Sequence, residues 1–189
     1  MKRVLKVIHL HTSEEKLIKK AQRNDRVSQQ ALYTTYAPKM LSVCRYYVKD
    51  LQYAEDVMIT GFAKVFKGLS TFQFEGSFEG WVRRIMVRES ISFLRSNKQI
   101  IFTEYTTATN EEIVYESDMS TEVLQLLIDG LPDGYKAVFV MYAIEGYAHK
   151  EIAEMLEISE GTSKSQLSKA RKLLKQQLDL IKKRENGTI

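Results

Sequence analysis

Cysteine, proline and glycine are all scarce in this chain of 189 residues, which holds one cysteine, two prolines and nine glycines. A lone thiol, Cys44, cannot close a disulfide within the chain, so a cross-linked secreted scaffold is excluded. The few glycines and prolines exclude collagen-like and low-complexity sequence, and ten tyrosines with eight phenylalanines exclude disorder throughout. No uninterrupted apolar run of about 18 residues occurs, so no membrane span is expected. The opening MKRVLKVIHLHT is broken by Lys6, His9 and His11 and is followed by no small-residue cleavage site, which makes it a poor signal peptide. Only three histidines are present, His9, His11 and His149, and there is no G-x-x-x-x-G-K-S/T phosphate loop. The adjacent acids Glu14-Glu15 and Glu111-Glu112 read as surface. The expectation is a chain of one domain or two small ones, cytoplasmic, without catalytic residues, metal or cofactor.

Charge is present but unevenly spread. Residues 1–100 hold 18 lysines and arginines against 9 acids, residues 101–130 hold none against 7, and residues 131–189 hold 10 against 8. The last 29 residues alone carry 8 bases and 2 acids. Two basic zones separated by an acidic one suit two modules that each meet a polyanion, and equally two solvated helical surfaces joined by an acidic linker.

Apolar residues recur at three and four along most of the chain, the period of helices burying one face. Met58, Phe62, Val65, Phe66 and Leu69 form one such stripe. Pro38 is expected to end or kink a helix near Tyr36. Turn residues mixed with three phenylalanines occupy 70–80, and Trp81 to Arg95 reads as a further helix. No convincing strand pattern is visible, the stretch Val4 to Leu10 being the weakest point of that reading. Residues 97–120 read as a linker. The helical period returns at Thr121, stops at Asp129-Gly130, restarts after Pro132 and stops again at Gly146. A short helix from about Ala148 to Leu156 and a long one from Glu160 to about Lys182 follow, and the tail is expected to fray.

Two constellations bear on chemistry. From Gly146 to Lys175, Ile152, Ala153 and Leu156 share one side of the short helix, Ile158 plugs the turn, and Leu167, Ala170 and Leu174 line one side of the long helix. This is the pattern of a helix-turn-helix. It turns Thr162, Ser165, Ser168, Lys169 and Lys172 outward, with Lys164 and Gln166 on the flanks, a set suited to base edges and phosphates of a major groove. The second constellation sets Phe72, Phe74, Phe78 and Trp81 beside Arg83, Arg84 and Arg88. Unpaired bases stack on exposed aromatics while arginines hold the backbone. Taken alone, that stretch reads sooner as ordinary core.

Together these residues resemble the extracytoplasmic-function (ECF) sigma factors, initiation subunits of bacterial RNA polymerase in the sigma-70 family. The resemblance covers roughly Glu14 to Leu178. LIKKAQRNDRVSQQALYTTYAPKMLSVCRYY and AEDVMITGFAKVFKGLSTF resemble the opening helices and clamp-docking part of the family's region 2. FEGWVRRIMVRESISFLRS resembles the promoter-melting segment, whose usual form is F-x-x-W-L-x-x-I-A-x-N. LPDGYKAVFVMYAIEGYAHKEIAEMLEISEGTSKSQLSKARKLL resembles region 4, whose helix-turn-helix usually reads E-I-A-x-x-L-G-I-S-x-G-T-V-K-S-R-L.

The resemblance implies an all-α fold of two helical modules. The expected divisions are an amino-terminal extension at 1–12, a region 2-like domain at 13–96, the acidic linker at 97–120, a region 4-like domain at 121–182 and a tail at 183–189. It implies binding to core RNA polymerase at its clamp and flap, with Glu55, Asp56, Phe62 and Val65 on or beneath the clamp contact. Phe72, Phe74, Ser77 and Phe78 would form the loop that receives a flipped base of the −10 element, and Trp81, Arg83, Arg84 and Arg88 the helix that melts it. Thr162, Ser163, Lys164, Ser165, Gln166, Lys169 and Lys172 would meet the −35 duplex. Promoter DNA, duplex and single-stranded, and an anti-sigma factor are the implied partners, with no membrane insertion. The linker would thread toward the polymerase cleft.

The chain departs from the family pattern at several positions. Ala148 replaces the usual helix-capping serine, Glu157 the turn glycine, and Ser163 the buried valine of T-V-K-S. Ile59-Thr60 replaces a common Gln-Glu pair in the clamp segment, and Arg88 and Ser92 replace a common Asn and Asp in the melting helix. A stand-alone helix-turn-helix regulator would account for 121–180 alone, and a sigma-mimicking adaptor would bind a regulator without DNA.

Overall fold

The computed structural model of the chain describes residues 10–96 and 121–185. The expectations for the Val4 to His9 stretch, the acidic linker and the end of the tail lie outside the described residues. Eight α-helices make up the described chain: α1 (Leu10–Gln22), α2 (Arg26–Tyr47), α3 (Leu51–Gly68), α4 (Phe78–Ser96), α5 (Thr121–Asp129), α6 (Asp133–Phe139), α7 (His149–Leu156) and α8 (Glu160–Glu185). No strand occurs among the described residues, as the all-α expectation requires.

Local chemistry sets several boundaries. Asp25 caps α2 by accepting from the Ser28 N–H at 2.9 Å, and Asp50 caps α3 by accepting from Tyr53 N–H at 3.0 Å. Burial at Ser28, Leu32, Tyr36, Met40, Val43 and Tyr47 gives α2 a continuous inward stripe. Of the two outcomes expected at Pro38, an end or a kink, the end does not occur, and α2 runs through it. Pro38 and Thr34 both lie on its exposed side, so the carbonyl that loses its donor faces water while the buried stripe holds the helix in place.

The first module packs α2, α3 and α4 against one another, with α1 laid across α2. Helix α4 comes close to α3 at Gly61, where an added Cβ would lie 2.4 Å from the Met86 sulfur. The core between them contains Met58, Phe62, Val65, Val82, Met86 and Ile91, all buried. Each large side chain buried in this way contributes roughly 1.5–3 kcal/mol.

In the second module α8 lies along α6 and α7, with α5 packed on it. Val123, Leu127, Leu131, Ala170 and Leu174 form a local apolar cluster there. Helix α6 ends in a wide turn over Val140–Ile144, where the Glu145 N–H reaches back five residues to the Val140 carbonyl at 3.0 Å. Gly146 then takes φ 77, the left-handed stop expected of it. Glu157 closes α7 in the same left-handed region, φ 56 and ψ 43, although it is not a glycine.

The two modules share one apolar core. Ile128, Val138, Met141, Ile152, Leu156 and Leu167 join the cluster formed by the buried residues of α2, α3 and α4. Around this junction lie polar groups. Arg45 donates to Asp129 at 2.9 and 3.4 Å, and Gln125 bridges the Arg45 carbonyl and Asp129, each at 3.3 Å. Lys136 is buried beside Asp133, and burial pulls its pKa below the ordinary lysine value.

Candidate polymerase and nucleic-acid interfaces

Three separate surfaces carry the side chains singled out by sequence. On α3, Glu55 and Asp56 are exposed, whereas Phe62 and Val65 are buried beneath them. Phe62 meets Tyr33 edge-on at 4.8 Å and stacks on Phe66 at 6.0 Å, so it supports the surface from below. Leu51, Tyr53 and Ile59 add exposed apolar area to this helix. Sequence reading noted Ile59 only as a lost polar residue. Its period is out of step with the buried stripe, and that was the available signal for an exposed apolar contact.

The loop before α4 is an aromatic cluster rather than an open row of platforms. Phe72 and Phe78 are buried, which agrees with the reading of this stretch as core and leaves them to support the loop from beneath. Phe78 packs edge-on to Tyr36 at 5.4 Å and to Phe72 at 5.2 Å, while Trp81 lies 5.5 Å from Phe72 and 5.8 Å from Phe78. The physical reason is that α1 and α2 close over the loop. Gln22 donates to the Leu69 and Phe72 carbonyls at 3.1 and 3.0 Å, fastening the loop to α1. Phe74 is the aromatic that stays out, 36% exposed at φ 61, with the Lys19 ammonium over its ring. Ser77 accepts from Gly80 N–H at 3.1 Å and caps α4.

Along α4 the three arginines diverge. Arg84 and Arg88 are exposed and have no carboxylate partner among the described residues. Arg83 turns toward the second module, where Nε donates to Glu145 Oε2 at 2.5 Å and Nη2 to Oε1 at 2.8 Å. That fork of hydrogen bonds raises the Arg83 pKa further. Close by, the Tyr47 hydroxyl is buried without a hydrogen-bond partner, and burial pushes its pKa well above the ordinary tyrosine value.

In the second module α7 and α8 form the expected helix-turn-helix, with Ile152, Ala153, Leu156, Leu167, Ala170 and Leu174 all buried. Ala148 provides no capping oxygen, and the Glu151 carboxylate accepts from the Ala148 N–H at 2.8 Å instead. Ser159 caps α8 by accepting from Thr162 N–H at 2.9 Å. Lys164, Ser165, Lys169 and Lys172 are exposed and Thr162 is half-buried at the helix start. Two expected contact residues are not on the surface. Ser163 is fully buried and shares a 2.8 Å hydrogen bond with His149 Nδ1, and Gln166 is 6% exposed. Helix α8 is covered by α7 on one side and by α5 and α6 on the other, so its inward arc is wider than one apolar stripe suggests. Among the described residues no helix is long and apolar enough to cross a membrane, and no group of three or more His, Cys, Asp or Glu is placed to hold a metal.

Known proteins share this arrangement. Residues 32–100 match the family model for sigma-70 region 2, and residues 121–174 match that for sigma-70, region 4. The chain is 25% identical over 180 residues to the ECF RNA polymerase sigma factor SigW of Bacillus subtilis, covering 87% of this chain and 96% of the relative. It is 24% identical over 181 residues to the ECF RNA polymerase sigma-E factor of Haemophilus influenzae, covering 88% and 95%. The fold is shared with CnrH, solved with the cytosolic domain of CnrY, at a TM-score of 0.50, 17% identity, and coverage of 88% of this chain and 97% of that one. It is also shared with the sigma factor RpoE solved with the anti-sigma factor NepR from Bartonella quintana, at a TM-score of 0.52, 16% identity, and coverage of 79% and 96%. With both regions matched in order and relatives covered over nearly their whole length, the chain belongs to the ECF sigma factors of the sigma-70 family.

Proposed function

We propose that this sigma factor docks on the clamp of core RNA polymerase through the exposed side of α3 and on the flap through the α5–α8 module. Glu55 and Asp56 lie on the clamp contact, and Phe62 and Val65 keep the helix in place. Arg84 and Arg88 on α4 hold the strand of the −10 element, Arg83 joins them when it is free, and Phe74 and Trp81 offer ring faces to a flipped base above the buried pair Phe72 and Phe78. Ser77 fixes the start of that helix. Thr162, Lys164, Ser165, Lys169 and Lys172 meet the −35 duplex, while Ser163 and Gln166 seat the helix that carries them. The units are the region 2-like domain at 13–96 and the region 4-like domain at 121–182, working in the cytoplasm, and an anti-sigma factor is the proposed regulator.

One observation carries this reading: a single chain holds two exposed basic surfaces of different chemistry, aromatic and arginine-rich on α4, hydroxyl- and lysine-rich on α8. The division is physically economical. Duplex reading by α8 sets register, and capture of an unstacked base drives melting. Extracting a base costs a few kcal/mol, and stacking on an aromatic returns about 1–3 kcal/mol. No nucleotide-hydrolysing chemistry is needed.

The test is reconstituted transcription with purified protein, sigma-free core polymerase from a close relative and fragmented genomic DNA, with sequencing of the RNA 5′ ends. Discrete start sites that share two upstream elements are expected. Core binding without start sites would favour a sigma-mimicking adaptor, and failure to bind core would refute the assignment.

A further inference from the structure

Helices α7 and α8 pack on each other largely through apolar side chains, Ile152, Leu156 and Leu167 among them. Apolar burial has no preferred direction, so such a contact by itself lets one helix roll on the other. Ser163 breaks the pattern. It lies in the first turn of α8, is fully buried, and its hydroxyl is 2.8 Å from His149 Nδ1. A hydroxyl can donate or accept, so this bond forms with either neutral tautomer of the imidazole. Unlike the apolar contacts it depends on angle, and leaving it unmade would strand a buried polar group. Gln166, one turn further on, offers no such anchor, because its Oε1 is buried without a hydrogen-bond partner. The imidazole is itself held in place. Its ring stacks on Tyr142, with centroids 4.6 Å and planes 22° apart. Tyr142 belongs to the wide turn at Val140–Ile144 and carries the Arg171 guanidinium over its ring at 5.6 Å. Arg171 is again a residue of α8, about 12 Å along the axis from Ser163. The stack of Tyr142 and His149 thus touches α8 at two places.

We propose that His149 and Tyr142 are positioning residues for −35 recognition, which through Ser163 and Arg171 fix the roll of α8 and so the direction in which Thr162, Lys164, Ser165 and Lys169 face the duplex. The proposal rests on α8 being the −35 helix and concerns what aims it. Rolling α8 by about 20° would move side-chain ends at its radius of about 6 Å by about 2 Å. That is further than a hydrogen bond to a base edge tolerates, and it would also part Ser163 from His149. Phosphate contacts are more forgiving, because long lysines can follow a charge that base-edge geometry cannot. Losing the pin therefore costs sequence discrimination before it costs attraction to DNA. The hydroxyl that stands where the family usually has valine thus acts at a distance from the bases, through the helix it orients.

The experiment uses holoenzyme assembled from the full chain and sigma-free core polymerase. The probe is a duplex pool randomised over the segment upstream of a genomic start site, and bound duplexes are sequenced. Discrimination is read as the enrichment of the best upstream element over the median one, and general affinity as the salt dependence of binding to the median pool. His149→Ala should lower discrimination about tenfold, the worth of about one base pair, with the salt slope unchanged. Ser163→Ala should do the same, and the double variant should lose no more than either single one, because both remove one hydrogen bond. Tyr142 is partly exposed, so Tyr142→Ala keeps the test open should the buried variants fold poorly. It should lower discrimination about threefold, and Tyr142→Phe, which keeps the ring, should restore it. A merely structural bond would lower binding to the best and the median duplex alike, and that result would overturn the proposal. Additive losses in the double variant, or full discrimination in both His149→Ala and Tyr142→Ala, would overturn it as well while leaving the −35 reading intact. Wild-type holoenzyme with no preference for any upstream element would sink the −35 reading, and the proposal with it.

Discussion

Replacing Gly61 by alanine tests the packing that sets α3 against α4. In an isolated helix the change would stabilise by about 1 kcal/mol, because glycine is the weaker helix former. Here the new methyl would sit 2.4 Å from Met86 Sδ and 3.0 Å from its Cε, with the Glu89 Cγ at 3.8 Å. Carbon and sulfur settle near 3.5–4.0 Å, so the thioether must retreat by roughly 1 Å. Met86 is fully buried, and such overpacking costs about 1–3 kcal/mol. The net expectation is destabilisation by about 1 kcal/mol, a fall in melting temperature of about 2–4 °C for a chain of this size. Urea denaturation of Gly61→Ala, Met86→Ala and the double variant supplies the decisive comparison. Met86→Ala alone should cost about 2–5 kcal/mol. In the double variant the added methyl occupies vacated space, so the two penalties should sum to less than their total by about 1 kcal/mol or more. Strict additivity, or a Gly61→Ala variant stabilised by the full helix-propensity increment, would refute the close-approach argument. With the proposed clamp contact on α3 and the proposed melting helix α4, Gly61→Ala should also lower initiation without altering any DNA-facing side chain.

Other measurements follow from particular side chains. Ala148→Ser restores a capping oxygen at the start of α7 and should raise stability by about 1 kcal/mol in thermal melts; no change would mean that Glu151 already meets the need. Glu157→Gly relieves a left-handed backbone that costs roughly 1–2 kcal/mol, and the exposed Arg95 pair it forfeits weighs little against that, so chemical denaturation should show net stabilisation. Burial pushes the Cys44 thiol up to about 11 from 9.0. Its contribution to stability is therefore complete below pH 9.0 and is lost as pH rises toward 11, with a slope near 1.4 kcal/mol per pH unit between them. Cys44→Ala should remove that slope relative to wild type, and native Cys44 should react with thiol reagents only on unfolding. Phe78→Ala empties the aromatic cluster and should cost about 3–5 kcal/mol, whereas Phe74→Ala should weaken single-strand capture with a smaller loss of stability, measured by anisotropy and urea titration on the same preparations.

Much of the fold was legible because it follows from short-range pattern. The stripe through Met58, Phe62, Val65 and Leu69, the stop at Gly146 and the spacing of Ile152, Leu156, Leu167 and Leu174 are all local, and the structure keeps each of them. The strained Glu157 turn was legible for the same reason. Pro38 does not end its helix because the cost of a proline depends on whether the freed carbonyl meets water, which is settled by the orientation of the whole helix. Ser163 and Gln166 went the same way: one apolar stripe on α8 was visible, but a second covering layer from α5 and α6 cannot be seen from α8 alone. The Arg83–Glu145 pair spans 62 residues of sequence and could not be anticipated by any periodicity. Which of the four aromatics around the loop is buried was left open by the pattern, since Gln22, from a helix some 50 positions earlier, draws the loop down.

The wide turn at Val140–Ile144 holds one residue more than a regular helical turn would. Each residue of an α-helix advances the chain by about 100° around the axis. A chain with a single deletion in this turn would run straight on as α-helix and would carry Glu145 about a quarter-turn away from Arg83. The surplus residue thus acts as a phase shifter: it leaves the composition and charge of the module untouched, yet it sets the direction in which the enclosed Glu145 carboxylate points. A one-residue change in chain length at this place would retune the junction more thoroughly than most substitutions in it.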